Sequence, residues 1–289
     1  MNRVLHVFHI MLVCIPLLLT ACADNYINEE QDERIVVEGW IKQGDHPVVL
    51  LTTSLAVSME SKPLNTINDH VLNWARVTIS NGEKEVVLMG SYDNKYLPPY
   101  TYTTTEMKGE VGKTYTIDVT FKDMHATATT TIPEPVVLTA VKQEKVAGTD
   151  SMYCLSAVFT DPPGKQYYTL FEKTGAGAQQ FFKCDMGTFD DTALSKEGEE
   201  VTHPAYQPRL ITEKKDDHSE YFKLGEMVCL ELCTLDKQSY NLWYDFQNTA
   251  SLSGNFFMPY TSNIRSNING GYGYWCGYGA SNMWVKVGE

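Results

Sequence analysis

Cations are scarce in this chain. It carries 23 Lys and Arg against 36 Asp and Glu over 289 residues, a net charge of −13. A surface of that sign repels phosphate backbones, so nucleic acid is not an expected partner. It also argues against docking on anionic lipid through basic patches. A membrane-spanning run is missing as well: the apolar stretch from Ile10 to Leu19 is too short to cross ~30 Å of hydrocarbon as a stable helix. Catalytic signatures are absent, with no HExxH, paired CxxC, GxSxG or SxxK. His46, His70, His125, His203 and His218 are scattered, mostly beside turns, and no converging set of ligands suggests a metal or cofactor. Asp185, Asp190 and Asp191 near Gly187 imitate a calcium loop poorly. The chain is therefore expected not to be an enzyme. Carboxylate pairs for glycoside hydrolysis are set by geometry rather than spacing, so a surface hydrolase acting on glycan or peptide stands as the alternative. A structural adhesin is a third.

Cysteines that could pair are few. Cys14 belongs to the leader and Cys22 to the motif described next, leaving Cys154, Cys184, Cys229, Cys233 and Cys276. An odd set cannot all pair internally, and buried thiols behave as small apolar groups. On a strand, Cys229 and Cys233 would share a face ~13 Å apart, too far to bridge each other.

What the chain does have is an informative start. Arg3, the apolar run and then Leu19-Thr20-Ala21-Cys22 reproduce a secretory signal ending in a lipobox. There a peptidase cuts before a cysteine that carries diacylglycerol. Residues 1–21 read as a lipoprotein signal peptide and Cys22 as the lipid attachment site. From Ala23 to Glu33 the chain holds Asp24, Glu29, Glu30, Asp32 and Glu33 with few apolar residues, a composition that cannot order itself by burial. Residues 22–34 read as an acidic tether.

Beyond the tether the pattern is mainly β. Ile35 to Ile41 and Pro47 to Thr53 are strand-like. Asn81-Gly82 between Ala75–Ser80 and Glu85–Met89 signals a hairpin. Tyr115, Ile117, Val119 and Phe121 alternate with polar residues at period two. This spacing suggests an immunoglobulin-like β-sandwich over 35–133, closed by Pro133-Glu134-Pro135. A second β-rich domain, 136–289, restarts with Val136 to Val141 and continues through the alternation of Tyr153, Leu155, Ala157 and Phe159. Gly187 to Ser219 reads as a long polar excursion, mobile or functional. Asp236 can cap a helix near 236–251, where Tyr240, Trp243, Tyr244, Leu242 and Phe246 recur at three- and four-residue spacing. The tail from Gly270 to Gly279 alternates glycine and aromatic residues and reads as a kinked or bulged strand, followed by Met283 to Val287. Tyr272, Tyr274 and Tyr278 would share one face. They are candidate ligand-contact aromatics, since flat rings with polar handles stack on sugars or peptides, though the same rings fill cores.

The lipobox, Val36-Val37-Glu38-Gly39-Trp40, Ala75-Arg76-Val77-Thr78-Ile79, Val111-Gly112-Lys113-Thr114-Tyr115, Asp161 with Gly164 and Tyr167-Tyr168, and Ser266-Asn267-Ile268-Asn269-Gly270 with Gly273-Tyr274-Trp275 stand in one order. Together they resemble a lipoprotein family of the Bacteroidota catalogued as domain of unknown function 4249, over nearly the whole mature chain. Trp275 departs from the phenylalanine expected in the closing motif. The resemblance implies an outer-membrane lipoprotein, often encoded beside a TonB-dependent transporter, and supplies no catalytic residues. In that phylum an acidic stretch after the lipidated cysteine marks export to the cell surface. The expected function is a non-enzymatic accessory or ligand-binding component of a TonB-dependent nutrient uptake system, held in the outer membrane by the diacylglycerol on Cys22.

Overall fold

Alternating apolar and polar residues favour an extended chain with one buried face. The computed structural model builds Thr114–Phe121 as such a strand, with Tyr115, Ile117 and Val119 fully buried. The structure describes residues 33–54, 69–175, 177, 180–193, 198–208, 220–253 and 264–289, without the side chains of 193 and 249–253. The signal peptide, Cys22 and nearly all of the tether lie outside the described residues. Strands in chain order are β1 (Ile35–Lys42), β2 (Val48–Thr53), β3 (Arg76–Ser80), β4 (Glu85–Val87), β5 (Met89–Tyr92), β6 (Tyr100–Thr103), β7 (Thr114–Phe121) and β8 (Met124–Thr131). They continue as β9 (Leu138–Lys145), β10 (Met152–Thr160), β11 (Tyr167–Thr174), β12 (Phe182–Asp190), β13 (Glu200–Ala205), β14 (Phe222–Lys223), β15 (Met227–Thr234) and β16 (Tyr272–Lys286). The α-helix among the described residues is α1 (Lys237–Ser253). It is neither long nor apolar enough to cross a membrane. The fold is mainly β, with one α-helix among the described residues, as the sequence pattern suggests.

Local signals land where the residues put them. Asn81 turns the β3–β4 hairpin: its side chain accepts the Glu83 and Lys84 amides at 3.1 and 2.8 Å, and Gly82 takes φ +85°. Asp236 caps α1, its carboxylate accepting the Ser239 amide at 2.7 Å.

The long-range order is different from a pair of separate modules. An eight-stranded sheet runs β12-β11-β15-β16-β1-β2-β6-β5. β16 is its hinge. The first part, Tyr272 to Tyr278, lies parallel to β1, and the second, Gly279 to Lys286, lies antiparallel to β15. The tail expected as a kinked strand plus a separate run is thus one 15-residue strand. Two four-stranded sheets complete the fold, one in the order β4-β3-β7-β8 and the other with β13, β14 and β9 around β10. A first core of Ile35, Val37, Val77, Ile79, Tyr115, Ile117, Ile132 and Trp275 draws on the first half of the chain and on β16. A second core of Leu138, Leu155, Phe159, Tyr168, Leu170, Leu230 and Leu232 belongs to the second half. Pro133-Glu134-Pro135 marks the change of core. It does not end a domain in space, because β16 joins both halves and Glu33–Glu289 form one compact unit. The stretch expected as a loop from Gly187 to Ser219 is partly strand, since β12 continues to Asp190 and β13 occupies Glu200–Ala205. Its remaining parts, 194–197 and 209–219, lie outside the described residues.

Candidate ligand-contact face

Alternation along β16 gives its two faces different work. Trp275 enters the first core and Met283 and Val285 pack on the second. Glycines on that same face let neighbouring backbone come close. A Cβ at Gly273, where φ is +104°, would collide with the Val37 carbonyl oxygen, and one at Gly277 would lie 2.8 Å from the Thr131 oxygen. The opposite face presents Tyr272, Tyr274, Cys276 and Tyr278, the last three of which join a third cluster beneath α1 with Cys233, Leu242, Trp243 and Phe246.

The three candidate tyrosines separate here. Tyr278 is only 3% exposed; it accepts the Trp243 indole N–H at 3.0 Å and meets Phe171 edge-on at 5.8 Å. Burial holds its hydroxyl well above the usual tyrosine range. It is a packing residue under the helix, which corrects its expected place among ligand contacts. The apolar face of α1 chose it: a helix laid on a sheet must bury its stripe on something. Tyr274 is half-buried against Trp243 at 5.2 Å, and Tyr272 is half-buried with the Arg34 guanidinium 5.4 Å over its ring. These two keep part of their surface open.

Register brings further residues to the same face. Glu38 pairs with Tyr274, and Trp40 with Cys276. Glu38 is half-buried, and burial pushes its carboxyl up to about 7. Trp40 stacks at a tilt on Tyr96, 5.8 Å away. Sequence reasoning missed Glu38 because one charge inside an apolar strand gives no sign of what lies across from it. The alternation Val36, Glu38, Trp40, Lys42 was the available signal.

Two lysines sit farther along this face. Lys42 forms an ion pair with Glu231 on β15, reaching across β16, and its ammonium lies 4.8 Å from the Phe181 ring. Burial works against its charge, but the Glu231 carboxylate overrides it and raises the lysine pKa. Cys233 contacts the same carboxylate at 3.8 Å, and burial pushes its thiol well up. Lys183 is pushed down to about 8 by burial and donates to the Cys184 carbonyl and to Gln247 Oε1, each at 3.0 Å. Gln247 of α1 also accepts the Thr188 amide at 2.9 Å and donates to the Thr188 carbonyl at 3.2 Å, clamping the helix to β12.

Other chemistry resolves into structure. The five cysteines 154, 184, 229, 233 and 276 are free thiols. Asp190 and Asp191 both bind Lys165. His46 bonds the Met107 carbonyl, His70 meets Thr53, His125 meets Asp118 and His203 stacks on Phe189 at 3.7 Å; His218 lies outside the described residues. Among the described residues no three His, Cys, Asp or Glu converge as a metal set. A cleft of about 340 Å³ is lined by Glu134, Pro135, Val136, Val137, Thr139, Thr160, Pro162 and Gln166, the start of the second half, and holds a single carboxyl.

Compared with known families, residues 24–282 match the model described as "Domain of unknown function (DUF4249)". No curated protein matches the chain.

Proposed function

The chain belongs to the DUF4249 family, and from that premise we propose that it is a lipid-anchored protein of the outer membrane, a non-enzymatic ligand-binding or accessory component of a TonB-dependent nutrient uptake system. One observation carries the reading: the apolar run that ends in Leu19-Thr20-Ala21-Cys22, followed by an acidic stretch. With so few cations, attachment must come from the acyl chains, each buried methylene giving ~0.8 kcal/mol. The TonB-dependent partner follows from the family resemblance. The ligand role draws support from the open parts of Tyr272 and Tyr274 beside the Glu38 carboxyl, where rings and one acid can orient a polar ligand.

The test is a Cys22→Ser variant followed by fractionation, palmitate labelling and detergent co-purification. Loss of label with retention of the precursor or release of the body from membranes is the expected result. Unchanged processing and membrane fractionation would end the anchor reading. A normally acylated protein that purifies without a transporter would end the partner reading alone.

A further inference from the structure

We infer that the end of the first half of the chain where the tether arrives rests on a lipid surface, with Trp74 and Tyr92 seated at the headgroup level. This builds on the acylation of Cys22 proposed above. The placement follows from register. The Ser54 amide donates to the Arg34 carbonyl at 2.8 Å, Thr52 bridges to Val71, and the Leu72 amide donates to the Leu51 carbonyl at 3.0 Å. The chain entering at Val71 therefore runs beside the end of β2, the strand whose last residues pair with the start of β1. The Tyr100 hydroxyl donates to the Asn73 carbonyl at 3.0 Å, and Tyr92 is the strand partner of Tyr100. Arg34, Trp74 and Tyr92 thus share one end of the fold.

Trp74 is 89% exposed and Tyr92 73%; no large apolar side chain among the described residues is more exposed than Trp74. An indole in water is unfavourable, and its amphipathic ring suits the boundary between headgroups and acyl chains. The same end carries exposed Arg34, Arg76 and Lys122, the last in the turn after Thr120, which pairs with Arg76. Exposed Glu33, Asp69 and Asp123 accompany them. The three cations and three carboxylates named here balance, whereas the whole chain carries −13, so an anionic surface repels this end less than it repels the chain on average. The 12 residues from Ala23 to Arg34 reach at most ~40 Å. The proposed anchor and this end of the fold therefore lie within that distance of each other, which brings the rings within reach of the bilayer surface.

The experiment uses the acylated mature protein in phosphatidylcholine vesicles brominated on their acyl chains. Trp74 emission should fall by at least about twofold on joining these vesicles compared with unbrominated ones, as expected for an interfacial indole. Trp74→Phe should abolish that extra quenching, and Trp284→Phe should keep it. Protein that floats with vesicles while Trp74 stays open to aqueous iodide would overturn the orientation and leave acylation intact. Trp74 shielded from iodide in native membranes, yet unquenched by brominated vesicles, would indicate a protein neighbour and equally overturn it. Wild-type protein that fails to float at all would instead remove the acylation on which the inference rests.

Discussion

The two faces of β16 from Tyr272 to Gly279 alternate along the same eight residues and differ in almost everything else. One face is Gly273, Trp275, Gly277 and Gly279, pressed on the first core and on the backbone of β8 and the Pro133–Pro135 segment. The other is Tyr272, Tyr274, Cys276 and Tyr278, facing α1 and the open side of the sheet. On the first face the side chains are set by how near another backbone comes. On the second they are set by what a helix needs to bury, and beyond the helix's reach they stay partly open. A glycine–aromatic alternation is therefore one strand doing two jobs, with close approach on one side and ring packing on the other.

The comparison breaks most sharply at Gly273. A valine there would need a left-handed backbone that β-branched residues rarely adopt, and its Cβ would strike the Val37 carbonyl. Both demands fall on the parallel pairing with β1 that joins the two halves. Gly273→Val should cost about 4 kcal/mol or more, as special-φ and overpacking changes do when combined. Urea unfolding followed by tryptophan emission reads the loss. An unchanged midpoint would mean that β16 does not cross β1 as described.

Glu38 sharpens the comparison from the other face. Its folded pKa of about 7 lies above its ordinary value of 4.5, so the folded state holds the proton more tightly than the unfolded one. Between those two values the native chain binds more protons, and stability falls as pH rises. The contribution is fully present below about 4.5, is lost toward pH 7 and amounts to about 3 kcal/mol at most. Glu38→Gln should remove this pH dependence: equal to wild type near pH 4, and more stable near pH 8. Parallel curves for the two proteins from pH 4 to 8 would show that Glu38 is solvated instead.

How much of this was legible beforehand depends on distance along the chain. The period-two run from Tyr115 to Phe121, the Asn81-Gly82 hairpin and the Asp236 cap are short-range effects, and each is visible in a window of a few residues. The pairing of Val36 with Tyr272 spans most of the chain, and no local pattern specifies a strand's neighbour. For the same reason the prolines at 133 and 135 read as a domain boundary, although the last strand serves both cores. The glycines of β16 read as kinks, since an isolated sequence cannot show the backbone passing over them. The site was half legible: alternation put Tyr272, Tyr274 and Tyr278 on one face correctly, but it could not show that α1 covers Tyr278 and stops short of Tyr272, nor that Glu38 lies opposite Tyr274.

Tyr278 provides the smallest and most discriminating change. If it is a packing residue, its ring must stay and only its hydroxyl can be varied. Tyr278→Phe keeps the edge contact with Phe171 and removes the acceptor for the Trp243 indole N–H. A buried donor left without a partner costs about 1–3 kcal/mol, offset in part because the tyrosine hydroxyl itself no longer needs burying. The expected net loss is about 1 kcal/mol in urea unfolding, with a shift in the Trp243 environment visible in near-ultraviolet circular dichroism. The equivalent change at Tyr272, half-open to solvent, should fall within about 0.5 kcal/mol of wild type, as surface substitutions do. A larger effect at Tyr272 than at Tyr278 would invert the assignment, placing α1 over the other end of the face and returning Tyr278 to the surface available for a ligand.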